Sequence, residues 1–104
     1  MSPRDDTQKD LQAWAEKCFG AAGVDQRQRA LRFLEEALEL VQAMGLQPAD
    51  VDCLRDYVFA RPVGEVGQEI GGVMVTLYGL AESKGLSVEA AENAEIARVL
   101  HPDF

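Results

Sequence analysis

The 104-residue sequence contains few of the residues that build zinc sites, disulfide scaffolds or membrane spans. Its two cysteines, Cys18 and Cys53, lie far apart without a C-x-x-C pattern, and His101 is the only histidine, so neither a zinc site nor a disulfide framework is expected. No segment approaches the ~18 consecutive apolar residues of a membrane helix, and the start of the chain is polar. We therefore predict a cytoplasmic protein without a membrane segment.

Positive charge is also scarce, with 10 basic against 18 acidic residues and a net charge of −8. This excess of negative charge argues against binding a nucleic acid through a basic face, and a phosphate ligand would need bridging cations. A chain of this length predicts one domain over 1–104, with a modest core that oligomerisation would help to stabilise. Residues 1–6 are predicted to be flexible and 101–104 to form a short tail. No internal repeat is evident in the sequence.

The spacing of apolar residues predicts an all-α fold of four or five helices. The first helix is expected at about 6–19, ending at Gly20, and the second runs from a cap at Asp25 to Met44. The third begins near Pro48 and reaches about residue 60, and Ser87 caps a last helix over 88–100.

The segment from about 64 to 84 is open to two interpretations. Its centre, Gly71 to Gly79, has the β-branched and aromatic content of a buried strand. On a helix, however, the same segment separates into one polar or small-residue stripe and a broad apolar remainder, the stripe being Glu65, Glu69, Gly72, Thr76 and Gly79. We predict a buried helix.

Glutamates are concentrated on one face of the second predicted helix. Glu35, Glu36 and Glu39 share the sector opposite the apolar residues, and the positions four residues after Glu36 and Glu39 are not basic. A solvated helix face is the ordinary interpretation of such a run. Glu69, on an otherwise apolar segment, favours a second one: if the two helices pack antiparallel, four carboxylates form a site of hard oxygen ligands for Mg²⁺ or Mn²⁺.

Two motifs resemble those of the MazG-like all-α nucleoside triphosphate pyrophosphohydrolases over roughly residues 11–100. They are Arg29-x-x-Arg32-Phe33-Leu34-Glu35-Glu36-x-x-Glu39-Leu40 and Glu69-Ile70-Gly71-Gly72-Val73-Met74-Val75-Thr76-Leu77. The resemblance implies a helical bundle, usually a dimer or higher oligomer, that uses Mg²⁺ to hydrolyse a (deoxy)nucleoside triphosphate to the monophosphate and pyrophosphate, a house-cleaning activity. It also implies metal ligation by Glu36, Glu39 and Glu69, with Glu35 binding metal or orienting the attacking water.

The chain departs from the family pattern at Gly72, where the family has the aspartate of a Glu-x-x-Asp motif. Glu65 and Glu95 are candidates to supply the missing oxygen. Arg32 and Arg61 are candidates for phosphate binding, although Arg32 can equally pair with Glu35 or Glu36 one turn further on.

Trp14 is a weak candidate for stacking on a base, and core packing is the alternative role for it and for Phe19. Two rival functions remain open. One is a MazG-fold protein that binds metal or nucleotide without turnover, and the other is an acidic helical interaction protein.

Overall fold

The computed structural model describes residues 2–103, and over these residues the chain is helical without a strand. It comprises α1 (Pro3–Phe19), a 3-10 helix (Gly20–Gly23), α2 (Gln26–Ala43), α3 (Pro48–Phe59), α4 (Val66–Ser83) and α5 (Val88–Val99). The predicted all-α class is confirmed. Met1, the first residue of the predicted flexible segment, and Phe104, the last residue of the predicted tail, lie outside the described residues.

The helix α1 begins at Pro3, three residues before the start that the apolar spacing predicted. The Ser2 hydroxyl accepts a hydrogen bond from the Asp5 backbone N–H (3.1 Å), and the Ser2 N–H donates to the Asp5 carboxylate (3.3 Å). This reciprocal capping box, followed by a proline in the first turn, satisfies N–H groups that would otherwise lack partners. The start of α1 is therefore set by capping and not by its apolar face.

The segment predicted as a buried helix is the helix α4, so the strand interpretation is wrong. The Glu65 carboxylate caps α4 by accepting a hydrogen bond from the Gln68 N–H (2.6 Å). The expected burial is not observed, because Val66, Ile70 and Val75 are each more than three-fifths exposed. Within its own part of the chain α4 contacts α5, and that contact covers only a fraction of the apolar circumference.

The chain divides into two compact units, Met1–Tyr57 and Val58–Phe104. In the first, α1 packs against the 3-10 helix, and Ala15 is buried beneath Gly23 so closely that a side chain at position 23 would clash with the Ala15 carbonyl. The Gln12 side-chain amide donates to the Gly23 carbonyl (2.8 Å). In the second unit Ala81 is the buried apolar residue.

Two helix pairs, α2–α3 and α4–α5, have matching lengths and lie 40 residues apart in the chain. We call them the first and the second helix pair. The longer helix has 18 residues and the shorter one 12 in each pair, and the bounds Gln26 and Pro48 correspond to Val66 and Val88. The structure thus contains a repeat that few sequence identities reveal.

The repeat is most evident in the residues that cap the helices. Asp25 and Glu65 precede the two long helices and accept hydrogen bonds from the N–H groups of Gln28 (2.9 Å) and Gln68 (2.6 Å), respectively. The two turns are the Gly-Leu sequences Gly45-Leu46 and Gly85-Leu86. Both glycines have positive φ (95° and 68°), and both leucine N–H groups donate to the carbonyl five residues earlier (3.0 Å in each case). This is the glycine-terminated C-cap in which a left-handed residue ends the helix.

Candidate functional site

The three glutamates of α2 are exposed, as the amphipathic pattern requires. Asp25 starts this helix and the Gly45 turn ends it, so Glu35, Glu36 and Glu39 lie in its second half. A guanidinium nitrogen of Arg32 lies 3.0 Å from a Glu35 carboxylate oxygen, and this ion pair confirms the predicted pairing one turn along. Both side chains are more than half exposed, and a pair of this kind contributes between about 0 and 1 kcal/mol. Arg32 can therefore leave Glu35 for a phosphate oxygen at little cost.

Glu35 and Glu39 also line a crevice between α2 and α3, which we call the first crevice. Its volume is about 650 Å³, and α3 contributes Asp52 to the same lining. Most of its wall is apolar and is formed by Leu31, Leu34, Leu38, Val41, Leu46 and Val51. Acidic residues that line an apolar crevice can hold a cation or orient a polar group of a ligand.

Asp52 is a site residue that the sequence analysis did not single out. Its carboxylate lies 3.4 Å from a guanidinium nitrogen of Arg55, one turn further along α3. An acidic residue next to the apolar Val51 is the only sequence signal for it. That signal gains meaning only because Asp52 shares the lining of the first crevice with Glu35 and Glu39.

Glu69 lies in the first turn of α4, close to the loop that precedes the helix. A Cβ atom at Gly64 would stand 3.2 Å from the Glu69 carboxyl carbon, so the side chain bends back over the helix start. Negative charge at this end of a helix is favoured by the helix dipole and by the unpaired N–H groups. Glu69 is consequently held as an exposed carboxylate at a helix N-terminus.

Glu65, proposed above as an extra ligand, is the N-cap residue of α4 and does not belong to the helical stripe. Hydrogen bonds from the backbone N–H groups of Gln68 and then Gly67 hold the pKa of Glu65 below its ordinary value. Glu65 and Glu69 thus lie at the same helix end, and the Glu65 carboxylate is already engaged in capping.

Glu95, the other proposed extra ligand, is engaged within its own helix. The Arg98 guanidinium donates to both of its carboxylate oxygens, at 2.7 and 2.9 Å. The hydrogen bond from Arg98 lowers the pKa of Glu95. Metal ligation by Glu95 would therefore compete with this two-point ion pair.

Position 72, where the family aspartate is missing, is sterically open. A Cβ atom built on Gly72 would meet no atom within 4 Å beyond its own helix neighbours. The Gly72 carbonyl accepts a hydrogen bond from the Thr76 hydroxyl (3.0 Å), which involves only the backbone of residue 72. The site therefore differs from the family pattern in the identity of this residue and not in the space available for an aspartate.

The two remaining candidates differ in their surroundings. Arg61 is exposed in the turn after α3, where its backbone N–H donates to the Val58 carbonyl (3.1 Å). Trp14 is half-buried on α1 and meets Phe19 edge to face, with ring centroids 5.7 Å apart. This aromatic contact favours the packing role for Trp14.

The carboxylate oxygens fit Mg²⁺ in chemical type, but the acids converge only in part. The first unit brings Glu35, Glu39 and Asp52 to the lining of one crevice, and the second brings Glu65 and Glu69 to one helix end. Within each unit, over residues 2–103, no group of three or more His, Cys, Asp or Glu side chains is close enough to hold a metal ion. Neither unit alone therefore contains a formed metal centre.

Comparison of the chain with models of protein families, with curated proteins and with solved structures found no match. The MazG-like assignment thus stays a prediction from the two motifs. No helix within residues 2–103 has both the length and the apolar character needed to cross a lipid bilayer.

Proposed function

We propose that this protein is a Mg²⁺-dependent nucleotide pyrophosphohydrolase that converts (deoxy)nucleoside triphosphates to monophosphates and pyrophosphate. The observation that carries the proposal is the group of three exposed glutamates on the second half of α2, two of which line the first crevice. Mn²⁺ would serve in place of Mg²⁺, since both prefer carboxylate oxygens. We further propose that the helices assemble as a MazG-like bundle in a cytoplasmic homodimer or higher oligomer.

The proposed roles follow the chemistry of each side chain. Glu36, Glu39 and Glu69 are assigned as metal ligands, and a bound Mg²⁺ would neutralise charge on the polyphosphate and acidify a bound water. Glu35 would orient that water or accept its proton, because it lines the first crevice together with Glu39. Arg32, one turn earlier, would exchange Glu35 for a phosphate oxygen.

Pyrophosphate release from a panel of ribo- and deoxyribonucleoside triphosphates, with Mg²⁺ or Mn²⁺, tests this proposal. We expect metal-dependent release that Glu36→Gln reduces by at least about 100-fold, since loss of one charged ligand weakens stabilisation of the developing charge. Glu16→Gln, an equivalent change on exposed α1, is the matched control and should retain wild-type activity. No metal-dependent release from any substrate would refute the enzymatic function.

The rival function, an acidic helical interaction protein, is favoured by a different observation. Within the described residues the large apolar side chains of α2 and α4 are broadly exposed, and neither unit contains a three-acid cluster. A third candidate function is that of a MazG-fold protein that binds metal or nucleotide without hydrolysing it. Gly72 favours this function because it removes one expected metal ligand. Binding without turnover predicts metal-dependent stabilisation in the absence of pyrophosphate release.

A further inference from the structure

Arg29 differs from the other charged residues of this protein in its burial. It is half-buried in the first half of α2, whereas every other Asp, Glu, Lys and Arg within residues 2–103 is exposed. Its Nε is covered and has no hydrogen-bond partner. Arg32, Arg55 and Arg98 pair with carboxylates, but no described residue forms a hydrogen bond or an ion pair with the Arg29 side chain. The described residues therefore offer this guanidinium no acceptor.

The covered Nε restricts how Arg29 can be used. A covered donor without an acceptor weakens the folded state, because the hydrogen bond that it made to water is not replaced. Since Nε is covered and the side chain is still partly exposed, the accessible donors of Arg29 are its two Nη groups. A guanidinium held in this way has lost side-chain freedom before a ligand arrives, so it binds an anion at a lower entropic cost.

The helix register places Arg29 in line with residues of the proposed site. On α2, which advances about 100° per residue, Arg32 and Glu36 lie within about 60° of Arg29 around the axis. Arg32 is about 4.5 Å further along the axis and Glu36 about 10.5 Å further. Arg27 lies about 160° away, on the other side of the helix. One side of α2 therefore presents two guanidinium groups, followed by a carboxylate that the proposed function assigns to a metal.

Two arginines one turn apart favour a ligand that carries several negative charges. A single carboxylate would neutralise one guanidinium only, whereas adjacent phosphate groups offer each guanidinium oxygens that accept two parallel hydrogen bonds. The exposed ion pair between Arg32 and Glu35 is weak enough to be exchanged for such a ligand. Because the chain as a whole carries a net charge of −8, a polyphosphate is attracted only where cations are concentrated.

We propose that Arg29 is a phosphate-binding residue which, together with Arg32, holds the two terminal phosphates of a nucleoside triphosphate. The substrate class rests on the proposed function, and the role of Arg29 adds which part of the substrate is recognised. Arg29, the farther of the two from Glu36, would hold the last phosphate, and Arg32 would hold the one before it. The protein should therefore prefer a triphosphate to the diphosphate of the same nucleoside.

Calorimetric titration of the full chain with inorganic tripolyphosphate, at a fixed Mg²⁺ concentration, tests the proposal without requiring turnover. We expect Arg29→Gln to raise the dissociation constant at least about tenfold, because it removes charge-assisted hydrogen bonds. Arg27→Gln makes the same change of charge at an exposed position on the other side of α2, and should change the dissociation constant less than about twofold. No tripolyphosphate binding by the wild type, or equal weakening by both variants, would overturn the proposal.

Arg29→Met separates phosphate binding from packing of the arginine stem, which is the usual structural role of a half-buried arginine. Methionine keeps an apolar stem and removes the covered Nε, so Arg29→Met should retain the Tm of the wild type. We expect it to bind tripolyphosphate as weakly as Arg29→Gln does. If Arg29→Met binds as tightly as the wild type, Arg29 only packs its stem and the proposal is wrong.

Hydrolysis measures the same preference during turnover. Arg29→Gln should lower kcat/KM for a nucleoside triphosphate, relative to that for the corresponding diphosphate, by at least about tenfold, and Arg27→Gln should leave this ratio unchanged. If tripolyphosphate binding depends on Arg29 but no nucleotide is hydrolysed, only the hydrolase function fails. If nucleotides are hydrolysed and Arg29→Gln keeps the wild-type preference for triphosphates, only the role of Arg29 fails.

Discussion

Gly72 is the residue at which this chain differs from the MazG-like pattern. The position lies one turn beyond Glu69 on α4, and a Cβ atom there would meet open space. An aspartate could therefore be introduced without displacing a neighbour. Replacing a helix-interior glycine with an ordinary residue also stabilises the helix by a few tenths of a kcal/mol.

We predict that Gly72→Asp increases metal-dependent pyrophosphate release, or metal affinity if there is no turnover, by roughly tenfold or more. The reason is that a further carboxylate near Glu69 supplies oxygen ligands that Mg²⁺ prefers. Steady-state kinetics at several Mg²⁺ concentrations and calorimetric titration with Mn²⁺ provide the measurements. Gly72→Asn has the same shape without the charge, and Gly71→Asp places the charge on another side of α4; neither should reproduce the gain. A gain from Gly71→Asp as large as that from Gly72→Asp would argue against a ligand role for position 72.

The elements of this protein are defined at their ends more than along their faces. Ser2, Asp25, Glu65 and Ser87 cap four helices through side-chain hydrogen bonds, and Gly45 and Gly85 end two of them with positive φ. Asp25, Gly45 and Ser87 were recognised in the sequence, and they account for the agreement between the predicted and observed bounds of α2 and the predicted and observed start of α5. They also show why the 40-residue repeat escaped detection, since capping positions repeat while the apolar residues differ.

Two glycines of the second helix pair test whether the helix ends define these elements. Both positions are uncrowded, yet we expect alanine to change the free energy of unfolding in opposite directions at the two positions. Gly71 lies inside α4 and Gly85 has φ 68°, and a Cβ atom at either meets nothing within 4 Å. We predict that Gly71→Ala stabilises the protein by up to about 1 kcal/mol and that Gly85→Ala destabilises it by about 1–2 kcal/mol. Urea unfolding monitored by circular dichroism measures both. A destabilised Gly71→Ala would mean that another surface packs closely against that side of α4.

At the scale of the whole molecule, the proposed metal site is the feature that separates an enzyme from an interaction protein. Glu36 and Glu39 come from the first unit and Glu69 from the second, and no unit holds three acids close enough for a metal. A cation that binds the folded protein stabilises it through mass action. Thermal stability is therefore sensitive to the proposed site even without turnover.

We predict that Mn²⁺ at 100 times its dissociation constant stabilises the protein by about 2.7 kcal/mol, which corresponds to a rise in Tm of roughly 10–20 °C for a chain of this size. Scanning calorimetry with and without MnCl₂ provides the measurement, with Glu36→Gln and Glu69→Gln as variants and KCl at matched ionic strength as the control. An acidic interaction protein predicts an unchanged Tm. An equal rise in the wild type and in both variants would show that Mn²⁺ acts at other carboxylates.

The sequence by itself determined the all-α class, the capped starts of α2 at Asp25 and of α5 at Ser87, the Arg32–Glu35 pair and the exposure of the glutamate face, because each depends on residues within a turn or two of one another. Tertiary structure alone decided that Asp52 shares a crevice with Glu35 and Glu39, that space exists at Gly72, and that apolar faces predicted to be buried are exposed. The physical reason is range: caps and ion pairs along a helix are local interactions, whereas a crevice or a buried face depends on which helices pack together, and many amphipathic sequences are compatible with more than one packing.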